Sequence, residues 1–139
     1  MKGVYHPAAI VSAVAFYLWG YVWYGLLFGK IWAAGAGLTA AQMQAGMSPA
    51  IIIVSIIIAL LWGYGTAIAL SRGDNQTAGR GMSFGLFFGI VFIASFLLQG
   101  NMYDGRPLSF WAVNAGYAVT GLVITGLING GWRARAKAG

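Results

Sequence analysis

The sequence predicts an all-α membrane protein, with four transmembrane helices in an antiparallel bundle and both termini in the cytoplasm. Of the 139 residues, 60% are hydrophobic and only 7% are charged, whereas about a quarter of the residues are charged in a typical soluble domain. The apolar residues form four blocks, each close to the roughly 20 residues that a helix needs to cross a bilayer. This composition excludes a soluble globular domain and a disordered chain.

The chain is predicted to form a single integral membrane domain, 1–139, that contains all four spans. The predicted spans are residues 8–29, 49–71, 81–100 and 109–131, and none of these ranges contains Lys, Arg, Asp or Glu. The run Ile51–Val54 would favour a strand in water. In lipid, however, an open sheet edge leaves backbone groups without hydrogen-bond partners. We therefore predict helices throughout.

Polar segments with helix-capping residues connect the predicted spans. Thr39 and Gln42 have the spacing of a capping box, which predicts a short helix through Gly46 at the membrane surface; a plain polar loop is the alternative. Ser48 precedes a proline at the start of the second span, and both features favour a helix start there. The stretch 72–80 is the most polar of the chain and predicts a turn-rich connection.

The distribution of basic residues predicts the orientation. One side of the predicted bundle carries six of them, Lys2, Arg72, Arg80, Arg133, Arg135 and Lys137, and the other side carries Lys30 and Arg106. The positive-inside rule then places both termini in the cytoplasm. Arg133, Arg135 and Lys137 are predicted to bind anionic lipid, at about 1 kcal/mol per cation. Near the outer end of the first span, Trp23, Tyr24 and Trp32 are typical of an aromatic belt at the membrane interface.

Small residues recur at intervals of about four within the spans, a spacing that lets two helices approach closely in lipid. The candidate packing residues are Gly81, Gly85 and Gly89 in the third span, Ala59, Gly63 and Ala67 in the second, and Gly121 in the fourth. A row of bulky rings runs beside the glycines of the third span, formed by Phe84, Phe88, Phe92 and Phe96. These rows indicate packing, either inside one bundle or between copies.

Few polar side chains lie within the spans, and each has a structural and a functional interpretation. Asn114 and Asn129 either form interhelical hydrogen bonds or mark a polar site inside the membrane. The functional interpretation predicts ligand contacts at the midplane from Asn114, Tyr17, Tyr21 and Thr125, with Asp104 and Arg106 at the outer mouth. In the structural interpretation, Asp104 and Arg106 form an ion pair.

Several kinds of chemistry lack the residues they require. The chain has no Glu and no Cys, only two Asp and one His, so we expect no metal site, no cofactor and no catalytic residues. Because the basic residues are dispersed between apolar blocks, we expect no nucleic acid as a partner. An enzyme is therefore not the expected function.

Several motifs resemble the bacterial membrane proteins of domain-of-unknown-function family 1761. The motifs are Trp23-Tyr24-Gly25, Phe28-Gly29-Lys30 with Trp32, Leu38-Thr39, Asp104-Gly105-Arg106-Pro107, and Trp111 with Asn114-Ala115-Gly116-Tyr117. They occur in order within residues 8–132. The resemblance implies a small four-helix protein of the bacterial inner membrane and assigns no activity to it.

Two functions remain open from the sequence. The first is a non-catalytic membrane protein that acts through helix packing, with the lipid bilayer and either itself or other membrane subunits as partners. The second is a small carrier or pore for a neutral or amphipathic solute. A water-accessible polar cavity that reaches Asn114 would favour the carrier, and a dry, packed bundle would favour the first function.

Overall fold

A computed structural model describes residues 4–73 and 76–138, and their side chains as far as Trp132. The described residues are helical apart from short connections and contain no strand. Four helical stretches are long and apolar enough to cross a membrane, and they pack together. They are His6–Leu27, Pro49–Ser71, Ala78–Tyr103 and Leu108–Trp132, the first to fourth spans. The predicted four-helix membrane bundle is thereby confirmed.

Two of the spans combine α-helical and π-helical segments. The first span is α-helical over His6–Gly20 and π-helical over Tyr21–Leu27. The third span is α-helical over Ala78–Phe88, π-helical over Gly89–Ala94 and again α-helical over Ser95–Tyr103. The other helices are Pro49–Ser71, Leu108–Ala138 and two short ones between the first two spans, Gly29–Ala36 and Ala40–Ala45. We call the end of the bundle at His6 and Trp132 the inner end, and the end at Leu27 and Leu108 the outer end.

Side-chain caps fix where several helices begin. The Thr39 hydroxyl accepts a hydrogen bond from the Gln42 backbone N–H at 3.2 Å, and the Gln42 side chain accepts one from the Thr39 N–H at 2.9 Å. This is the predicted capping box, and it starts the predicted short helix, whose residues are exposed. Ser48 caps the second span through the Ile51 N–H at 3.4 Å. Thr77 caps the third span through the Arg80 N–H at 3.1 Å, so that span begins at Ala78 rather than at Gly81.

The helix Gly29–Ala36 was not predicted from the sequence. The first span ends at Phe28, whose backbone leaves the helical region (φ −123°, ψ 8°), and the chain then turns into this separate helix. The helix ends at Gly37, which adopts a left-handed conformation (φ 73°) that glycine tolerates without a Cβ clash. Packing against the fourth span positions this helix, and local sequence patterns do not contain that information.

The fourth span is the centre of the bundle. It contacts the first, second and third spans as well as the helix Gly29–Ala36, and the first span packs along the second. The third span packs mainly against the fourth. The first, second and fourth spans therefore form a three-helix unit, and the third lies against one side of it.

Glycines bring the backbones of the third and fourth spans into direct contact. A Cβ atom added to Gly81 would overlap the carbonyl oxygen of Gly126, and one added to Gly85 would overlap that of Leu122. Gly89 lies farther out along the same interface, where an added Cβ would be 3.0 Å from the Cα of Val119. The glycine row of the third span is therefore occupied by the fourth span of the same chain.

The other small residues that we predicted to pack lie at interfaces of the first span. Ala59 and Ala67 are buried, and a Cβ added to Gly63 would lie 2.9 Å from the Cβ of Ala13. Gly121 on the fourth span is buried beneath the Phe16 ring. In contrast, residues 49–58 of the second span include no buried residue, so the outer half of that span projects away from the bundle.

The close contact at Gly85 predicts a large effect of substitution. We expect Gly85→Leu to push the third and fourth spans apart and to lower the free energy of unfolding by about 3 kcal/mol, at the upper end for an overpacked core. Thermal unfolding in detergent micelles measures it. Gly65→Leu is the matched control, because Gly65 lies in the second span with no atom within 4 Å of an added Cβ. Equal unfolding midpoints for the two variants would contradict the backbone contact.

Candidate functional site

Four buried polar side chains join three spans near the inner end. Asn129 on the fourth span donates from Nδ2 to the hydroxyl of Ser12 on the first span at 2.9 Å, and approaches the carbonyl oxygen of Gly63 on the second at 3.3 Å. One turn outward, the hydroxyls of Thr66 and Thr125 lie 3.1 Å apart. We call Ser12, Thr66, Thr125 and Asn129 the polar cluster.

Every member of the polar cluster is at most 3% exposed. The Ser12 hydroxyl donates to the Ala9 carbonyl at 2.8 Å, and that of Thr125 donates to the Leu122 carbonyl at 3.2 Å. Either hydroxyl can be the donor in the bond between Thr66 and Thr125. The adjacent cavity, lined in part by Asn129, has a volume of about 10 Å³, which is room for one water molecule at most. The polar cluster is therefore a tightly packed contact among three spans.

A second set of polar contacts joins the first and fourth spans in the outer half of the bundle. The Tyr24 hydroxyl donates to Oδ1 of Asn114 at 2.6 Å. The Trp23 indole donates to the Val113 carbonyl, and the Trp19 indole donates to the Thr120 hydroxyl, both at 2.9 Å. The sequence favoured an interfacial belt for Trp23 and Tyr24. The structure points both side chains at the fourth span, and the interfacial belt stays a prediction.

The aromatic rings of this region form a continuous series through the bundle. Tyr24 contacts Tyr117 edge-on, with ring centroids 5.0 Å apart, and Tyr117 contacts Phe16 at 5.2 Å. Phe16 stacks on Trp62 of the second span at 4.5 Å. Such ring pairs contribute about 0.5–1.5 kcal/mol each beyond the area they bury. The Tyr24–Asn114 hydrogen bond is partly buried, with the rings of Trp32 and Tyr117 close to Tyr24.

At the outer end, Arg106 holds the helix Gly29–Ala36 in place. Its guanidinium donates to the Gly35 carbonyl at 3.1 Å and lies 4.9 Å from the centre of the Phe110 ring. Its Nε is 3.9 Å from the Asp104 carboxylate, and such an exposed pair contributes little. Sequence reasoning missed Asn101, which is buried and donates to the Arg106 and Pro107 carbonyls at 3.0 and 3.3 Å.

The structure does not bring the predicted midplane contacts together, so they do not form one site. Tyr17 is 37% exposed and Tyr21 is 66% exposed, on the outer surface of the bundle. Thr125 belongs to the polar cluster, eleven residues and about 16 Å along the helix from Asn114. The tyrosines beside Asn114 are Tyr24, through its hydrogen bond, and Tyr117, one turn further along the fourth span.

The larger cavity is an apolar groove of about 550 Å³ between the third and fourth spans. Its lining consists of Ile90, Ala94, Ser95, Leu98, Trp111, Ala112, Ala115, Gly116 and Val119. The one hydroxyl in this lining, that of Ser95, bonds to carbonyls of its own helix, at Val91 and Phe92. Neither this groove nor the small cavity includes Asn114.

The two remaining site predictions are lipid binding by the C-terminal basic residues and the absence of a metal site. The predicted lipid-binding side chains of Arg133, Arg135 and Lys137 lie outside the described side chains. Within residues 4–73 and 76–132, no three His, Cys, Asp or Glu side chains come together as metal ligands would.

Comparison with known proteins supports the family resemblance. A family described as "Protein of unknown function (DUF1761)" matches residues 7–130, which is most of the chain. No curated protein and no solved structure matches the chain. The family match confirms the resemblance that the sequence motifs indicated.

The polar cluster yields a prediction about stability. Asn129→Leu keeps the branched, four-atom shape of the side chain but removes the amide that reaches Ser12 and Gly63, so we expect the free energy of unfolding to fall by about 1–2 kcal/mol. Asn114→Leu, which removes one bond at a half-buried position, should lower it by only about 0.6 kcal/mol. Chemical denaturation in micelles measures both values. A smaller loss at Asn129 than at Asn114 would show that the polar cluster does not hold the bundle.

Proposed function

Because this chain belongs to domain-of-unknown-function family 1761, which has no assigned activity, we propose its function from its own helices. We propose a non-catalytic integral membrane protein that acts through helix packing, as a homo-oligomer or as an accessory subunit of a membrane complex. It is a multi-pass membrane protein by its four apolar helices. We place it in the bacterial inner membrane with both termini in the cytoplasm, on the basis of the family resemblance and the charge distribution.

The proposal rests on the hydrogen bonds that the polar side chains within the spans form. Asn129, Thr66, Thr125 and Asn114 all bond to groups of the same chain, and so do the indoles of Trp19, Trp23 and Trp111. The surface left for the surroundings is almost entirely apolar. A membrane protein with such a surface interacts through shape and van der Waals contact with other membrane-embedded molecules.

The third span carries the aromatic surface that we propose for assembly. Its glycine face is already occupied by the fourth span, while Phe88, Phe92 and Phe96 are 40%, 55% and 72% exposed. Phe88 and Phe92 stack with ring centroids 5.4 Å apart, so this surface is ordered before any partner binds. We call these three residues the Phe face. Rigid aromatic side chains are typical anchors of protein interfaces.

The carrier alternative finds less support in this geometry. A solute path would need polar groups that face water along the bundle, whereas the polar cluster is buried and the 550 Å³ groove is apolar and opens sideways. The hydrogen bond from Tyr24 occupies the Asn114 carbonyl oxygen. Binding a solute at Asn114 would first require breaking that bond.

Native mass spectrometry of the tagged protein, extracted mildly from its own membranes, tests the proposal. Co-purifying proteins at fixed stoichiometry would support an accessory subunit, and a single-chain oligomer would support self-assembly. A monomer that retains a small polar molecule would overturn the proposal and favour the carrier. Gly85 packs against the fourth span of the same chain, so Gly85→Leu tests the stability of the bundle and not its assembly with other molecules.

We expect the double variant Phe92→Ala/Phe96→Ala to weaken assembly by at least about tenfold, as expected when interface anchors are removed. The same experiment quantifies it as the fraction of assembled protein across a dilution series. The matched control is Ile57→Ala/Leu61→Ala, a pair with the same spacing and with exposures of 51% and 65% on the second span. Assembly that survives the Phe variant, or that is lost equally in both, would exclude the Phe face as the interface.

A further inference from the structure

The third span consists of an inner half that is fixed and an outer half that is loosely held. The inner half, Ala78–Phe88, has its backbone against the fourth span at Gly81 and Gly85. In the outer half, Ser95–Tyr103, the only buried residue is Asn101. The π-helical segment Gly89–Ala94 joins the two halves.

A π-helical turn between two α-helical segments amounts to one extra residue in the helix. Its hydrogen bonds run from residue i to i+5 instead of i+4. If the turn converts to α-helix, the part beyond it therefore turns by about 100° and moves by about 1.5 Å along the axis. The π-helical segment of the first span differs, because the helix breaks directly after it at Phe28.

Two contacts hold the outer half in the observed register. The Trp111 indole on the fourth span donates to the Ala94 carbonyl at the end of the π-helical turn, at 2.9 Å. The Asn101 amide donates to the Arg106 and Pro107 carbonyls, while its own Oδ1 is buried without a partner. This orphaned oxygen weakens the second contact, since a buried acceptor without a hydrogen-bond partner loses its solvation and gains nothing in return.

The groove beside the π-helical turn leaves room for the movement. It is about 550 Å³ in volume and is lined by Ile90, Ala94 and Leu98 of the third span. In a continuous α-helix, Leu97 would occupy the direction that Leu98 has now, because each residue advances by about 100°. The exchange replaces one leucine by another in the groove, so the apolar contact is conserved.

We propose that the segment Gly89–Ala94 is a register switch. Its conversion from π-helix to α-helix turns Ser95–Tyr103 against the fixed inner half, and the Trp111–Ala94 hydrogen bond is the latch of the observed register. The switch changes which residues the outer half presents to neighbouring membrane molecules. Phe96 of the Phe face lies in the outer half and turns with it, whereas Phe88 stays with the inner half. The switch itself rests on the contacts of the third span with the fourth and not on the proposed assembly.

Spin-label distances test the switch. The chain has no cysteine, so Gln99→Cys on the outer half and Ala34→Cys on the helix Gly29–Ala36, both exposed, can be labelled selectively. A turn of about 100° at a helix radius of about 5–6 Å displaces a side chain by about 8 Å. We expect two distance populations in the labelled parent protein reconstituted in phosphatidylethanolamine–phosphatidylglycerol vesicles.

Three further variants separate the switch from general loosening. Trp111→Phe removes the latch and should increase the second population, whereas Trp19→Phe, which removes a comparable indole bond elsewhere, should not. Deletion of Val91 removes the extra residue, leaves the outer half in its observed register and should give one population. That single population should persist when the deletion is combined with Trp111→Phe.

Deletion also tests whether the extra residue is dispensable for folding. The deletion of Val91 should fold, whereas deletion of the exposed Met82 in the fixed inner half should not, because it moves Gly81 or Gly85 off its contact with the backbone of the fourth span. Failure of both deletions to fold would overturn the proposal. A single distance population in both the parent protein and Trp111→Phe would also overturn it. So would a change in the distance populations on Trp111→Phe that is the same whether Val91 is present or deleted.

Discussion

The fourth span holds the bundle together because a bilayer supplies no hydrophobic force between helices. In lipid, spans associate through close backbone packing and through hydrogen bonds between helices. The fourth span provides both: Gly126 meets the backbone of Gly81 in the third span, and Asn129 reaches the first and second spans. The main packing that does not involve it is that of the first span along the second.

Few amide and hydroxyl groups lie within the spans, and the partners of these groups bear on the function of the chain. In a span, an amide or a hydroxyl either finds a partner within the protein or marks a functional site. Ser12, Thr66, Thr125 and Asn129 find theirs within the polar cluster, where the highest exposure is 3%. The same bonds that stabilise the bundle thus engage these polar groups within the chain.

The two sides of the third span show how one helix serves two purposes. Its glycines permit backbone contact and fix the inner half, while its phenylalanines stack along the exposed surface. The π-helical turn separates this rigid half from the outer half, where Trp111 and Asn101 make the main polar contacts. Stability therefore concentrates at the inner end, and freedom of movement concentrates at the outer end.

The sequence alone determined the environment, the four spans and several helix starts. Hydropathy depends only on which residues follow one another, and caps such as Thr39 with Gln42 act over three residues. The rows of small residues also indicated close packing, though without naming the partner. The family resemblance rested on local motifs in the same way.

Only the tertiary structure decided which polar groups meet. Asn114 pairs with Tyr24 rather than with Tyr17 or Tyr21, because a π-helical turn shifts the side-chain directions beyond Gly20. The helix Gly29–Ala36 depends on a bond between Gly35 and Arg106, 71 positions apart. A period of 3.6 residues predicts faces within one regular helix; it does not predict where the period changes or which distant backbone groups come into contact.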